Sequence, residues 1–264
     1  MTEKSTETNR EESASVQDAV WQAVLARRIS AAAPLERTPL NDLYGPLCDA
    51  HRNGLFAVAH LAQSLDGRIA TNDGVSQWIS GAADLLHTHR MRALVDAVIV
   101  GTNTVLHDDP QLTVRRCAGA NPVRVIIDPQ RRLDGSQRVF NDGAAPTLLL
   151  IASDCEIKNK PQGNAEIVTV PRTGASLDPH QIRRILAQRG LRRLLIEGGG
   201  ITVSHFLEAG ALDRLQITVA PLILGSGRPG IVLPEITDLQ HGLRPRTRRY
   251  NLGEDIMIEC DFND

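Results

Sequence analysis

A carboxylate and three consecutive glycines separate an apolar run from a helical pattern in the stretch 194–210, LLIEGGGITVSHFLEAG. Leu194–Ile196 predict a buried strand, Glu197 ends it, and Gly198–Gly200 predict a tight turn into a helix. Glycines let a backbone approach a bulky anion, and the first N–H groups of a helix are unpaired, so this turn suits a phosphate. A strand-to-helix turn that binds nothing has the same pattern, and that alternative stays open. Glu197 favours a site, because a carboxylate beside an anion is costly unless it faces another group, such as a substrate hydroxyl or amide.

Composition limits the function classes. The chain has 264 residues, of which 42% are hydrophobic and 23% charged, and its formal net charge is −2. This length suits one α/β domain with a real core. Because only 3% of the residues are aromatic and there is no basic excess, we expect neither nucleic acid nor a membrane as a partner. No apolar run approaches the roughly 18 residues of a membrane span, and the polar N-terminus lacks a secretory pattern, so we expect a cytoplasmic protein.

The spacing of cysteine and histidine does not predict a metal site. The four cysteines are isolated from one another: Cys48, Cys117, Cys155 and Cys260. Without a CxxC pair, we expect them to be reduced and structural. His87 and His89 are two positions apart, a spacing that puts them on different sides of a helix. We therefore expect no bound metal.

Three segments of different character follow one another along the chain. Residues 1–15 are polar and acidic, and we expect a disordered N-terminal tail. Residues 16–54 are predicted to hold one amphipathic helix, which begins near Val16, and then an irregular connector over Pro34–Gly54. Residues 55–264 form the main body.

Strands alternate with helices in the main body. Apolar runs predict strands at Leu55–Leu61, Asp96–Val100, Val123–Ile127, Thr147–Ala152, Glu166–Val170, Leu194–Ile196, Arg214–Ala220 and Ile256–Cys260. Helical spacing predicts helices at about Ala82–Leu94, at about Asp178–Arg189 and after Gly200. This alternation predicts an α/β fold with a mostly parallel central sheet, helices on both faces and an antiparallel C-terminal finish.

Ligands of such sheets bind above the carboxyl ends of the strands. Four polar or glycine-rich turns occupy those ends here, and we expect them to converge on one rim: Ser64–Arg68, Gly101–Thr104, Asp128 and Glu197–Gly200.

At these turns the sequence resembles the riboflavin-biosynthesis pyrimidine reductases, the reductase half of the bifunctional deaminase/reductase. The resemblance covers about Leu55 to Cys260 and rests on short motifs in the family's order: Ser64–Ala70, Ser76–Gly81, Arg92–Ala93, Asp96–Gly101, Thr104–Val105, Asp108–Arg115 and Glu197–Gly199. It implies a three-layer dihydrofolate reductase-like fold and, as is general in this family, a homodimer.

The resemblance also implies a reaction and a set of site residues. The reaction is the NADPH-dependent reduction of the ribosyl group of 5-amino-6-(5-phosphoribosylamino)uracil, a phosphorylated pyrimidine, to the ribitylamino product, with hydride delivered to C1 of the sugar. By position, the residues expected to contact substrate are Ser76, Arg92, Leu112, Arg115 and Glu197, of which Glu197 is the candidate catalytic residue. Those expected to line the NADPH are Ala62, Trp78, Thr104, Asp108, Gly199, Gly200, Ile201 and Thr202.

Each of these residues also has a plainer interpretation. Arg92 could be a solvated cation, Trp78 a core aromatic residue, and Asp108 part of a helix stop before Pro110. The turn Ser64–Arg68 could serve geometry alone. No general acid is evident, so the proton could come from water or from the substrate.

Four further features bear on the resemblance. Gly225–Gly230 matches GxGxxG, but Pro229 and the apolar residues after it cannot open a helix, so we expect a loop and not a dinucleotide fingerprint. Cys48 follows Pro46 without the second cysteine of a deaminase zinc site, so we expect no deamination. Pro129 follows Asp128 where a polar cofactor contact is expected. Four arginine pairs, at 115–116, 131–132, 183–184 and 192–193, are typical of solvated faces, although one could bind the 2′-phosphate of NADPH.

Two alternative functions remain at this point. One is a reductase of the same fold that acts on another small molecule in specialised metabolism. The other is a binding or structural protein that kept the fold and lost turnover.

Overall fold

A computed structural model describes residues 18–29, 38–49, 54–156 and 163–263. The chain divides into two compact units, residues 1–54 and residues 55–264. In the described residues, no helix is long and apolar enough to cross a membrane.

The described part of the N-terminal unit contains two helices, where an irregular connector was predicted after the first. Helix α1 covers residues 18–29 and helix α2 covers Pro39–Asp49, so the prediction of an irregular connector over Pro34–Gly54 is wrong. Proline is tolerated in the first turn of a helix, and α2 continues through Pro46 because it buries an apolar face. Trp21 and Tyr44 pack edge to face with ring centroids 5.7 Å apart. The tail predicted for residues 1–15 lies outside the described residues.

The main unit is built on a sheet of nine strands. Its strands are β1 (Phe56–Ser64), β3 (Ala97–Gly101), β4 (Val123–Ile127), β5 (Thr147–Ala152), β6 (Glu166–Val170), β9 (Arg193–Glu197), β10 (Arg214–Ala220), β12 (Arg246–Leu252) and β13 (Asp255–Asp261). Their order across the sheet is β12-β13-β10-β1-β9-β3-β4-β5-β6. From β10 to β6 the neighbours are parallel, whereas β13 and β12 add antiparallel strands at one edge.

Helices cover both faces of this sheet. The helices of the unit are α3 (Ala82–Leu94), α4 (Thr102–Asp108), α5 (Arg138–Asn141), α6 (Pro179–Gln188) and α7 (Gly200–Glu208), followed by a short 3-10 helix, Leu239–His241. Residues of α6 and α7 share a buried apolar cluster with alternate residues of the parallel strands, among them Ala59 and Ile196. The residues in between, such as His60, face α3 on the opposite side. The α/β fold, mostly parallel with an antiparallel finish, is confirmed.

Four short strands that the sequence pattern did not predict form two separate two-stranded sheets. β2 (Arg68–Thr71) pairs with β11 (Gly227–Pro229), and β7 (Arg172–Thr173) pairs with β8 (Ser176–Leu177). The middle of the GxGxxG match, Gly227–Pro229, is therefore a strand where a loop was expected, whereas the prediction that the match opens no helix is confirmed.

Candidate active site

A cavity of about 850 Å³ lies at the carboxyl ends of the parallel strands. Its walls come from the ends of β1, β3, β4 and β9, from the first turns of α4 and α7, and from the segment between β2 and α3. This is the place where a parallel sheet exposes unpaired main-chain groups and loop side chains together. The cavity is therefore the candidate ligand site.

Most of the predicted site residues line this one cavity. They are Ala62, Ser76, Trp78, Thr104, Asp108, Glu197, Gly199, Gly200, Ile201 and Thr202. The other three, Arg92, Leu112 and Arg115, do not line it. Arg92 contacts Glu197, and Arg115 shares Thr113 with Arg92, so these two arginines are linked to the cavity through Glu197.

The glycine turn after β9 leads into helix α7. Gly198 and Gly199 have φ values of 71° and 55°, a region that side chains rarely adopt. No side chain caps the helix at Gly199, and the first residues of the helix line the cavity. A Cβ at Gly200 would lie 2.7 Å from the carbonyl oxygen of Pro229 and closer still to that of Gly230. The packing of α7 against this loop therefore requires a glycine.

The first turn of α4 forms the neighbouring wall. Thr102 donates a hydrogen bond to the carbonyl oxygen of Ile127 at 2.8 Å, which fixes the turn against β4. Asn103 accepts a hydrogen bond from Arg132 at 2.6 Å, and both residues line the cavity. Arg132 is exposed, whereas its neighbour Arg131 is buried. One cation of this arginine pair therefore faces the site.

The loop between β2 and α3 closes another side. Ser76 donates a hydrogen bond to Asp108 at 3.2 Å. Burial raises the pKa of Asp108, and the hydrogen bond from Ser76 only partly offsets this. Trp78 is 84% exposed, which excludes the core aromatic interpretation, and its φ is 72°. A large apolar side chain held at the cavity wall in a rare backbone conformation is typical of a binding loop.

Arg92 and Glu197 form a buried ion pair at the cavity wall. Nε and Nη2 of Arg92 donate to the two carboxylate oxygens of Glu197 at 2.8 and 2.5 Å, and Nη1 donates to the carbonyl oxygen of Thr113 at 3.1 Å. Arg92 is 9% exposed, so the solvated cation interpretation is wrong. The fork that could hold a phosphate instead holds Glu197 in one orientation.

Arg115 is the exposed cation of this region. Its Nη1 donates to the hydroxyl oxygen of Thr113 at 2.6 Å, and its backbone N–H donates to Nδ1 of His89 at 2.9 Å. Among the described residues, Arg115 forms no ion pair. Burial, together with the positive charges of Arg92 and Arg116, lowers its pKa. This surplus of positive charge suits an anionic group.

Two of the four predicted rim turns do not reach the cavity. In the turn after β1, Asp66 accepts hydrogen bonds from the hydroxyl of Ser64 and from the backbone N–H groups of Leu224 and Gly225, which lower its pKa to about 2. This turn serves geometry. Asp128 is fully buried and accepts from Thr102 and from a backbone N–H, although the next residue, Pro129, does line the cavity. The expectation of four converging turns is therefore half wrong.

A buried histidine and aspartate that the sequence pattern did not indicate also line the cavity. His60 is 4% exposed, and its Nε2 lies 3.3 Å from a carboxylate oxygen of Asp84. Asp84 also accepts hydrogen bonds of 2.6 Å from Ser80 and Thr218. Burial alone would lower the pKa of His60, but the charge and hydrogen bond of Asp84 and the charge of Glu197 outweigh it, so the pKa lies above 6.5.

These residues belong to a polar row that crosses the sheet beneath α3. Glu197, His60 and Gln216 are direct neighbours on β9, β1 and β10, and Gln216 pairs with Glu259 on β13. His87 of α3 contacts Gln216 through Nε2 at 2.9 Å. The ring centroids of His60 and His87 are 5.1 Å apart. A polar row at the centre of a sheet is costly unless each member is paired, which indicates a role beyond packing.

Two further arginines, Arg132 and Arg228, line the cavity. Sequence reasoning left Arg132 as one of four arginine pairs without choosing among them, and it missed Arg228. Arg228 sits in the GxGxxG match and approaches His107 at 3.4 Å. His60 lies inside the apolar run of β1, where a single polar residue among buried neighbours was the available signal. In the described residues, no group of three or more metal-ligating side chains is present.

Comparison with known proteins places these features in context. The sequence profile of the RibD C-terminal domain matches residues 56–250. The 2,5-diamino-6-ribosylamino-4(3H)-pyrimidinone 5′-phosphate reductase of Methanothermobacter thermautotrophicus is 36% identical over 211 residues, which are 77% of this chain and 96% of that protein. The riboflavin biosynthesis protein RibD of Aquifex aeolicus is 36% identical over 199 residues, which are 75% of this chain and 55% of that protein.

A solved structure shows the same architecture. The deaminase/5-amino-6-(5-phosphoribosylamino)uracil reductase of Thermotoga maritima aligns with a TM-score of 0.65 and 28% identity, over 84% of this chain and 61% of that one. The chain therefore shares the fold of the reductase family that the resemblance indicated. The chain spans little more than half the length of the RibD proteins it matches.

Proposed function

The chain belongs to the RibD C-terminal domain family, and we propose that it is the NADPH-dependent reductase of riboflavin biosynthesis that converts the ribosyl group of 5-amino-6-(5-phosphoribosylamino)uracil to a ribityl chain. The observation that carries the proposal is the cavity at the carboxyl ends of β1, β3 and β9, which gathers ten of the predicted site residues. Its volume of about 850 Å³ lies within the range of ligand sites.

Substrate binds, in this proposal, at the end of the cavity where Glu197 meets Arg92. A carboxylate has about four lone-pair sites, and Arg92 uses two of them, so Glu197 can still accept from a pyrimidine N–H or a sugar hydroxyl. Ser76 supplies a hydroxyl, and Arg115 supplies a cation for the 5′-phosphate. The side chain of Leu112 is buried, but its φ of 55° turns the backbone before Thr113, so its contact with substrate is through the main chain.

The nicotinamide cofactor occupies the rest of the cavity. The uncapped N-terminus of α7 at Gly199–Thr202 suits the pyrophosphate, and the glycine backbone leaves room for it. Ala62, Thr104 and Asp108 line the wall between pyrophosphate and substrate, and Trp78 offers an apolar face to a ring. When bound, the reduced nicotinamide supplies the hydride; the protein holds C1 of the sugar against it and excludes water.

A second substrate is favoured by a specific comparison. The Methanothermobacter relative is named for the 2,5-diamino-pyrimidinone, which carries an amino group where the uracil has an oxygen, and the match covers 96% of that protein. Glu197 can accept a hydrogen bond from either ring. The two candidate substrates therefore differ in one substituent of the pyrimidine ring, and the reduction of the ribosyl group is the same for both.

A turnover assay tests the proposed function. The full chain is mixed with NADPH and, in separate reactions, each of the two phosphoribosylamino-pyrimidines; the loss of NADPH absorbance is followed and the product is identified by mass spectrometry. We expect a ribitylamino product from at least one of them. NADPH that remains unoxidised with both pyrimidines would contradict the proposal. The homodimer and the cytoplasmic location stay predictions.

A further inference from the structure

One buried group on the cavity wall has no role in the function described so far. Nδ1 of His60 is buried and has no hydrogen-bond partner among the described residues, while Nε2 is held by Asp84. A polar atom left unpaired in the interior is costly, so native structures usually supply a partner. His60 lines the cavity beside Glu197, so an atom of a bound ligand is the candidate partner for this nitrogen.

The protein environment favours the cationic form of this histidine. The carboxylate of Asp84 accepts hydrogen bonds from Ser80 and Thr218 as well as from His60. Burial raises the pKa of Asp84, but the charge of His60 and these hydrogen bonds outweigh burial and hold the pKa well below its usual range, so Asp84 is ionised. In an imidazolium both ring nitrogens are donors. With Nε2 directed to Asp84, the proton on Nδ1 is the one that can leave.

The groups around His60 together raise its pKa above the ordinary value of a histidine. Burial is the largest influence and lowers the pKa of His60, and the positive charge of Arg92 acts in the same direction; Asp84 from α3 and Glu197 from β9 raise it more. His87, the other titratable group in contact, stays neutral, because burial lowers its pKa to about 3. The neighbours on β10, Gln216 and Thr218, are uncharged, and Glu259 lies one strand further away on β13.

We propose that His60 is the general acid of the reduction and that Asp84 is its positioning residue, an inference that rests on the proposed function. The exocyclic nitrogen on C1 of the sugar pushes its lone pair into a C=N bond while the bond from C1 to the ring oxygen breaks. Nδ1 of His60 gives its proton to that oxygen, which becomes a hydroxyl. The hydride from NADPH then reduces C1 of the open iminium to a CH₂ group, so that one proton and one hydride are consumed. The neutral imidazole regains its proton from solvent.

The rates of variants at different pH test this role. General acids contribute about 10²- to 10⁴-fold, so His60→Gln should lower kcat/KM by about 10²-fold or more. In the wild-type, kcat/KM should fall as pH rises through the pKa of His60, because the acid form is lost. The decline should be absent in His60→Gln and should begin at lower pH in Asp84→Asn. His180→Gln, which replaces an exposed histidine of α6 outside the cavity, is the control, and it should keep the wild-type alkaline decline.

A second readout does not depend on turnover. An NMR titration of the imidazole of His60 in the full chain should give a pKa above 6.5, which falls in Asp84→Asn. NADPH binding, followed by fluorescence, identifies variants that have failed to fold. If His60→Gln fails in this way, the Asp84→Asn profile decides.

The outcomes separate the two proposals. A wild-type protein that reduces the substrate while His60→Gln keeps the full rate and the alkaline decline would overturn the role of His60 alone. So would an Asp84→Asn profile that coincides with the wild-type one, or an imidazole of His60 that is already neutral below pH 6.5. A wild-type protein that reduces neither pyrimidine would overturn the proposed function and this inference with it.

Discussion

Two adjacent arginines illustrate how neighbouring residues of one type differ in their surroundings. Arg115 donates a hydrogen bond to the side chain of Thr113, and Arg92, which holds Glu197, donates to the carbonyl oxygen of the same residue. Among the described residues, Arg115 has no carboxylate partner. Arg116 is exposed as well, but it makes no such link to Glu197. A phosphate on the substrate would therefore meet Arg115 first.

Replacing these two arginines tests the placement of the substrate phosphate. Arg115→Gln should raise KM by about tenfold to a hundredfold, since a charge-assisted hydrogen bond contributes roughly 1.5–3 kcal/mol. Arg116→Gln is the matched control and should leave KM nearly unchanged. The measurement is steady-state kinetics with the phosphorylated substrate and with its dephosphorylated form. If Arg115→Gln affected both forms equally, the phosphate would lie elsewhere.

Arg132 is the candidate partner for the 2′-phosphate of the cofactor. It is exposed, lines the cavity and is oriented by Asn103. Arg132→Gln should weaken NADPH binding by about tenfold or more and leave NADH binding unchanged, because only NADPH carries this phosphate. Fluorescence titration with both nucleotides measures the ratio. Arg184→Gln, an exposed arginine outside the cavity, is the control; equal weakening of both nucleotides by Arg132→Gln would contradict the assignment.

Residue types in the motifs indicated much of the site, but not its pairings. The glycine turn and Glu197 could be predicted because strand, turn and helix are local patterns. His60 could not, because its partner Asp84 lies on α3 and nothing local in β1 marks the contact. The fork of Arg92 was expected to face a phosphate, whereas a carboxylate 105 positions away occupies it.

At the scale of elements, helix α7 is the part whose position decides cofactor binding. Its first residue, Gly200, packs against the carbonyl oxygens of Pro229 and Gly230. Pro229 is the last residue of β11, and Gly230 begins the loop that follows. The start of the helix is thereby tied to the end of β11, the strand that carries Arg228. Moving one would move the other.

Alanine at Gly200 tests this coupling. The added Cβ must displace backbone, so Gly200→Ala should lower the free energy of unfolding by about 1–3 kcal/mol and also weaken NADPH binding. The matched control is Gly210→Ala, just after the other end of α7, where φ is 62° and a Cβ meets open space. That variant should lose about 1 kcal/mol from backbone strain and bind NADPH normally. Urea denaturation and fluorescence titration give both quantities, and normal NADPH binding by Gly200→Ala would count against the assignment.

Helix α3 brings an acid-sensitive histidine onto the sheet. Burial lowers the pKa of His87 to about 3, whereas the unfolded chain keeps the ordinary value near 6.5. Between these values the unfolded state binds more protons, so the free energy of unfolding falls as pH falls, by up to about 1.4 kcal/mol per pH unit.

Comparing urea denaturation at about pH 7 and about pH 5 isolates this effect. In His87→Gln the loss of stability between the two pH values should be smaller than in the wild-type by about 2 kcal/mol. His241→Gln, which replaces an exposed histidine of the 3-10 helix, should behave as the wild-type. An unchanged pH dependence in His87→Gln would show that His87 is already protonated in the folded protein.

The predicted elements were reliable where burial dominates and unreliable at exposed edges. The predicted bounds of α3, β4, β5, β6 and β10 coincide with the observed ones. β12 was missed because its run of arginines, Arg246–Leu252, is mostly exposed and pairs on one side only. Helix α2 was missed because Pro39, Gly45 and Pro46 are local helix breakers, and only packing of its apolar face overrides them.

At the scale of the whole molecule, the sheet order places the chemistry. β1 lies between β9 and β10, so residues more than 130 positions apart in sequence become direct neighbours: His60 with Glu197 and with Gln216. Composition and length predicted a single α/β body, and the motifs in order predicted its family. The polar row could not be predicted, because it exists only once three distant strands are aligned in register.

The transfer of the hydride is the central claim, and isotope labelling measures it directly. NADPH deuterated at C4 of the nicotinamide ring, on either face in separate reactions, is incubated with the protein and each phosphoribosylamino-pyrimidine, and the product is analysed by NMR. We predict that deuterium from one of the two faces appears on C1 of a ribityl chain. Deuterium absent from C1 in every reaction, with the pyrimidines recovered unchanged, would contradict the account.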